Sequence, residues 1–129
     1  MGKALRQWLE PVSISASPAR RAQLTLQGLC EGWPELNALP HYTIDELYTF
    51  SCYDLLGWLA EQPATVGERF LIGHNPALTE LANWLSPAAP LENLPTAGYV
   101  RLSLDIDDWS ALKPGCGEIA QSLWPKELQ

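Results

Sequence analysis

The chain has 129 residues, enough for one ordinary domain. With 47% hydrophobic and 18% charged residues it can bury a core and is not a disordered tail. Fifteen Asp and Glu against eight Lys and Arg leave a formal charge of -7, which argues against nucleic acid or an anionic membrane as the main partner. A small basic pocket within an acidic surface remains compatible with that charge.

No apolar run approaches the roughly 20 residues of a transmembrane helix, and MGKALRQWLE at the start lacks the long apolar stretch of a secretory signal. Cys30, Cys52 and Cys116 form no C-x-x-C pair, so neither a zinc site nor a disulfide framework is indicated. A reduced, cytoplasmic compartment is the expectation.

Gly2 to Leu9 reads as a helix, with Ala4, Leu5, Trp8 and Leu9 at helical spacing and Pro11 ending it. Val12 to Ala16 is a short strand. Ser17-Pro18 then places a cap and a first-turn proline before a helix running to about Cys30, near Gly32 and Pro34. Asn37 to Asp45 reads as a strand or extended segment. Ser51 followed by Asp54 is a capping-box signature for a helix from about Cys52 to Glu61. Arg69 to Ile72 is an apolar strand that breaks at Gly73-His74-Asn75-Pro76, where Asn75 and Pro76 open a helix ending near Trp84.

The stretch from Ser86 to Pro95 reads as loop. Tyr99 to Ile106 alternates, with Val100, Leu102, Leu104 and Ile106 on one face, and Glu118 to Trp124 is a final strand. Strand then helix occurs twice across turns of the same design. The fold expected is a single three-layer α/β/α domain over residues 1–129, with a mainly parallel sheet in which Ile14, Leu71 and Ile72 are buried. Ligands in such sheets sit beyond the carboxyl ends of the strands, where both turns fall.

The first of these turns sets Ser17 at a helix N-terminus with Arg20 and Arg21 in the first helical turn. Free N–H groups and the helix dipole favour an anion there, and two arginines at that end oppose the dipole unless one grips a phosphate. A capped helix with two solvated arginines fits the same residues. In the second turn, Gly73 permits a close or unusual backbone approach, and His74 at the mouth of the sheet can donate to a phosphoryl oxygen. A turn histidine bonded to nearby backbone is the plainer reading.

Ser17-Pro18-Ala19-Arg20-Arg21-Ala22-Gln23-Leu24-Thr25 resembles the S-P-x-x-R-A-x-x-T motif of the histidine phosphatase superfamily, and Ile72-Gly73-His74-Asn75-Pro76 resembles its G-H-N-P motif. Leu47-Tyr48, Leu94-Pro95-Thr96-Ala97-Gly98 and Trp124-Pro125-Lys126-Glu127-Leu128 echo the small phosphohistidine phosphatase branch.

The resemblance implies a phosphoglycerate mutase-like fold and a metal-free, cofactor-free phosphoryl transfer. A histidine in an R-H-G motif on the first strand is phosphorylated, and water then hydrolyses it. Arg21 matches the phosphate-gripping arginine and His74 the second histidine, both catalytic, while Ser17 and Asn75 are the substrate-binding candidates; Arg20 falls at a variable position. The partners implied are a phosphorylated protein or small phosphoester and inorganic phosphate or sulfate, with no nucleic acid and no membrane.

The sequence holds no R-H-G, and its only other histidine is His41, in an extended segment with no activating neighbour. The resemblance therefore reads the chain as N-terminally truncated relative to the family. It lacks the first strand, which the family would place between the two motif strands. Loss of that strand would leave a gap closed by repacking or by a homodimer, and would leave the chain as given inactive. A non-catalytic phosphate- or phosphoprotein-binding module is the alternative. Asp45 and Glu46 lie where relatives carry a proton-donating acid, and also where solvated residues precede a helix.

Overall fold

The structure is a computed structural model that describes residues 1–88, 90–94 and 98–124. Three short strands, β1 (Ile14–Ala16), β2 (Tyr42–Thr43) and β3 (Phe70–Ile72), form a parallel sheet in the order β2-β1-β3. Two longer ones, β4 (Tyr99–Leu104) and β5 (Gly117–Leu123), pair antiparallel in a second sheet, with a bulge at Arg101/Leu102. Four helices surround them: α1 (Gly2–Arg6), α2 (Arg20–Gly32), α3 (Cys52–Ala60) and α4 (Ala77–Leu85).

The strand side chains sort into two cores, which makes the domain three-layered. On one face Ile14, Ala16, Ile72 and Leu123 pack with Leu5 of α1, Ala22 and Leu29 of α2, and the fully buried Trp33 and Leu36. On the other, Leu71, Leu102 and Leu104 pack under Leu55 and Leu59 of α3 and Ala77, Leu81 and Leu85 of α4. Alternation along each strand sends successive residues to opposite faces, so Leu71 serves one core and Ile72 the other. Each buried leucine contributes roughly 1.5–3 kcal/mol of transfer free energy.

Several expectations shift. The first helix ends at Arg6 rather than Leu9, and its N-terminal turn lies hard against the end of α2. A Cβ on Gly2 would sit 2.6 Å from the Leu29 carbonyl oxygen. The segment expected to be extended from Asn37 to Asp45 keeps only the two-residue β2, between 3-10 turns at Pro34–Ala38 and Asp45–Leu47. Pro40 removes an amide donor a longer strand would need. Ser51 caps α3 through Tyr53 N–H (3.3 Å), but Asp54 turns to the Thr49 hydroxyl (2.6 Å) instead of closing a capping box. The alternating exposure of β4 runs as expected from Val100 onward.

Between the two motif strands the closure is by repacking within the chain. The two motif strands pair directly, with Ile14 opposite Phe70, Ser15 opposite Leu71 and Ala16 opposite Ile72. Nothing separates them, because their own backbone groups satisfy one another in a parallel ladder. The sheet is interrupted elsewhere, between β3 and β4. There no ladder forms among the described residues, and the rings of Phe70 and Tyr99 meet with centroids 5.9 Å apart. The closing motifs at residues 95–97 and 125–129 lie outside the described residues.

Candidate functional site

Direct pairing of β1 and β3 brings both motif turns to one edge of the sheet. Ala16 and Ile72 end their strands side by side, and the Ser17 N–H continues the ladder to the Ile72 carbonyl at 2.9 Å. One residue past β1 lies Ser17; two past β3 lies His74. Their side chains meet, with His74 Nε2 and Ser17 Oγ 2.8 Å apart.

Ser17 is fully buried, and its hydroxyl also accepts the Ala19 N–H at 3.2 Å. Helix α2 accordingly starts at Arg20, with Ala19 at the cap position and no side-chain cap. The hydroxyl expected to cap the helix instead folds a tight turn ahead of it and holds the histidine. Gln23, one turn into α2, donates from Nε2 to the Ser17 carbonyl (2.8 Å) and to the Thr43 hydroxyl (3.3 Å), tying the turn to β2. The motif signals nothing about Gln23, because its position there is variable.

Arg20 and Arg21 open α2 and are exposed. The Arg21 guanidinium makes no hydrogen bond or ion pair among the described residues. A free cation beside the unsatisfied N–H groups of a helix start has the electrostatics of an anion site.

His74 is half-buried, with Tyr48 tilted against it (ring centroids 5.3 Å apart) and Phe50 edge-on (6.1 Å). Tyr48 carries one of the short sequence echoes; Phe50 carries no signal. Gly73 is not a strained position. A Cβ there would meet only Leu78 at 3.5 Å, ordinary contact, and among the described glycines only Gly115 has positive φ, at 77°. The close or unusual backbone approach that Gly73 permits is not used here.

Asn75 stands apart from this cluster. Its side chain accepts the Thr79 hydroxyl (2.8 Å) and N–H (3.3 Å) and donates to the Leu94 carbonyl, while the Thr79 hydroxyl also accepts the Leu94 N–H at 2.9 Å. It holds the start of α4 to the following loop. Asp45 and Glu46 are exposed on the turn before Tyr48, with no side-chain partner among the described residues.

The second histidine is fully engaged in scaffold. His41 Nδ1 accepts the Ile14 N–H at 3.0 Å, and Nε2 lies 2.8 Å from the Leu36 carbonyl. Since a carbonyl only accepts, Nε2 carries the proton and both ring nitrogens are occupied. No group of three or more His, Cys, Asp or Glu is placed to hold a metal ion among the described residues.

Layering, parallel strand order and the position of this edge define the class: a phosphoglycerate mutase-like α/β fold. In particular, the chain superposes on the protein histidine phosphatase SixA complexed with tungstate with a TM-score of 0.70 and 22% identity, covering 99% of this chain and 81% of that one. It superposes likewise on a protein assigned as the phosphohistidine phosphatase SixA of Nakamurella multipartitia, with a TM-score of 0.67 and 19% identity over 96% of this chain and 79% of that one. At these identities the likeness is one of fold. No protein-family model and no curated protein sequence matches the chain.

Proposed function

We propose that the chain is a phosphohistidine phosphatase-like protein of the histidine phosphatase superfamily. It would bind the phosphoryl group of a phosphorylated protein or small phosphoester at the edge where β1 and β3 end. The observation that carries this reading is the His74–Ser17 contact. It joins the two motif turns on adjacent parallel strands, and Arg21 opens the helix that follows the first of them.

In this reading Arg21 grips phosphoryl oxygens in a bidentate fork, and His74, aimed by Ser17 and backed by Tyr48, adds a second donor. The α2 N-terminus supplies its unsatisfied amides. Asn75 acts indirectly, by holding the α4 end of the turn that carries His74.

Hydrolysis through a phosphoenzyme needs an atom that accepts the phosphoryl group. His41 has both nitrogens occupied, and the sequence contains no R-H-G. This favours a second reading for the chain by itself: a non-catalytic module that binds phosphate or a phosphoprotein. The catalytic function then depends on an R-H-G segment being supplied.

Tungstate, which is bound in the SixA structure, and inorganic phosphate are the probes. Titration followed by amide NMR should shift residues at 17–21 and 73–75. The shifts should vanish in Arg21→Ala and in His74→Ala, and unchanged binding in both variants would refute the site. Phosphoenzyme trapping should leave this chain unlabelled. A chain extended by an R-H-G segment should label, and lose the label with Arg21→Ala. Labelling of the unextended chain that disappears in His41→Ala would overturn the assignment of His41 to scaffold.

A further inference from the structure

The rim of the site carries aromatic surface that the phosphoryl group does not use. Tyr48, Phe50 and Tyr53 are 58%, 62% and 71% exposed, which places three of the molecule's exposed large hydrophobic side chains within residues 48–53. Tyr48 and Phe50 turn one part of each ring toward His74 and leave the remainder open. Clustered exposed aromatics beside a site mark a contact surface.

The segment is held in shape. The Thr49 hydroxyl donates to Asp54 (2.6 Å) and accepts the Ser51 N–H (3.1 Å), and the Ser51 hydroxyl accepts the Tyr53 N–H (3.3 Å). A surface already ordered loses less entropy when a partner settles on it.

Its charge selects the partner. Between Arg21 and Arg69 the sequence contains no Lys or Arg. Asp45 and Glu46 stand exposed just before Tyr48, and Asp54 just after Tyr53. Open π-faces bordered by carboxylates form a receptor for guanidinium and ammonium groups, which stack on the rings while pairing with the acids.

We infer that the aromatic and acidic rim formed by Asp45, Glu46, Tyr48, Phe50 and Tyr53 is a docking surface for a polypeptide segment with Arg or Lys flanking its phosphorylated residue. This inference rests on the phosphoryl-site reading and names the partner class of that site. The anion enters at Arg21 and His74, and the cationic flank lies along the rim. An acidic protein thereby selects a basic stretch of its phosphorylated partner, whose own phosphate is neutralised by Arg21 and His74.

The test compares two short phosphoserine peptides of equal length, one flanked by Arg and one by Glu, with inorganic phosphate titrated in parallel. The Arg-flanked peptide should bind about tenfold more tightly at low salt, the combined effect of a cation–π contact and surface ion pairs. Raising the salt should narrow the difference. Tyr53→Ala combined with Asp45→Asn and Glu46→Gln should abolish the preference without weakening inorganic phosphate binding.

Equal affinity for the two peptides would overturn the inference, as would an Arg preference that survives the triple substitution, since overall charge would then explain it. Self-association lost in the same variant would overturn it in favour of a second copy as occupant. An Arg preference that responds to the substitutions while inorganic phosphate fails to bind would support the docking surface and refute the phosphoryl site.

Discussion

Two turns of nearly the same sequence design, Ser17-Pro18 and Asn75-Pro76, end neighbouring parallel strands and precede helices, yet they spend their polar side chains differently. Ser17 is buried and bonds the histidine of the other turn. Asn75 is exposed at its surface and bonds its own helix and the loop beyond it. A residue type favoured at helix starts is a donor or acceptor looking for a partner, and the tertiary setting decides whether that partner is local backbone or a functional group. Here one turn aims the site and the other anchors it.

Asn75→Ala should have the largest effect in this pair. It removes the acceptor for Thr79 and the donor to Leu94, so stability should fall by about 2–3 kcal/mol in urea unfolding. Phosphate affinity should change little under conditions where the variant stays folded. A large loss of affinity with intact stability would reverse the division of labour between the turns.

Ser17→Ala comes next. The Ala19 N–H and the His74 ring each lose a partner in a buried setting, at about 1–2 kcal/mol. Phosphate or tungstate binding should weaken here, because His74 is no longer aimed. Ser17→Thr, which keeps the hydroxyl, should restore binding more fully than stability, since its extra methyl has no space in a fully buried site.

Alkaline pH sharpens the comparison by loading both cores. Burial raises the thiol of Cys30, packed against the α2 side, above its ordinary 9.0. Burial also raises that of Cys52 on the α3 side, helped by the Glu80 charge. Burial likewise raises Tyr99 above 10.0. Each group favours its neutral form when folded, so its contribution is complete below the unfolded value and is lost as pH rises through the folded one. The melting temperature should therefore decline above about pH 9. Cys52→Ser should flatten the first part of that decline; an unchanged profile in Cys30→Ser and Cys52→Ser together would remove the thiols from the explanation.

Gly73→Ala should matter least. Its Cβ would meet Leu78 at ordinary distance, so the change in stability should stay within about 0.5 kcal/mol. Phosphate binding should persist. A strong defect would show that the backbone at the second turn must move during binding.

The fold was legible where local signals agreed. The Ser51 cap, the apolar runs at Ile14 and Phe70–Ile72, and the alternation after Val100 each specify an element by short-range chemistry. The stretch from Pro34 to Leu47 was not, because prolines and small polar residues leave its course to long-range contacts such as His41 with Ile14 and Leu36. Of the proposed site, Arg21 and His74 could be singled out by motif. The pairing of His74 with Ser17, 57 residues away, and with the rings of Tyr48 and Phe50 depends on strand order, which no local pattern encodes. Local pattern likewise left open whether the two motif strands would close by repacking or by pairing with a second copy; they close by pairing directly with each other.

The interruption between β3 and β4 has a dynamic consequence. The β4–β5 pair is joined to the parallel sheet by side chains such as Phe70, Tyr99 and Leu123 and not by a backbone ladder among the described residues. Side-chain packing can release in a patch, whereas ladder bonds across a continuous sheet open together, so local opening is expected to start at the junction between the two sheets. Native-state amide exchange should show β4 and β5 opening at a lower free energy than β1 and β3. The edge that carries Ser17 and His74 would then belong to the more slowly exchanging unit, holding its geometry through excursions of the other.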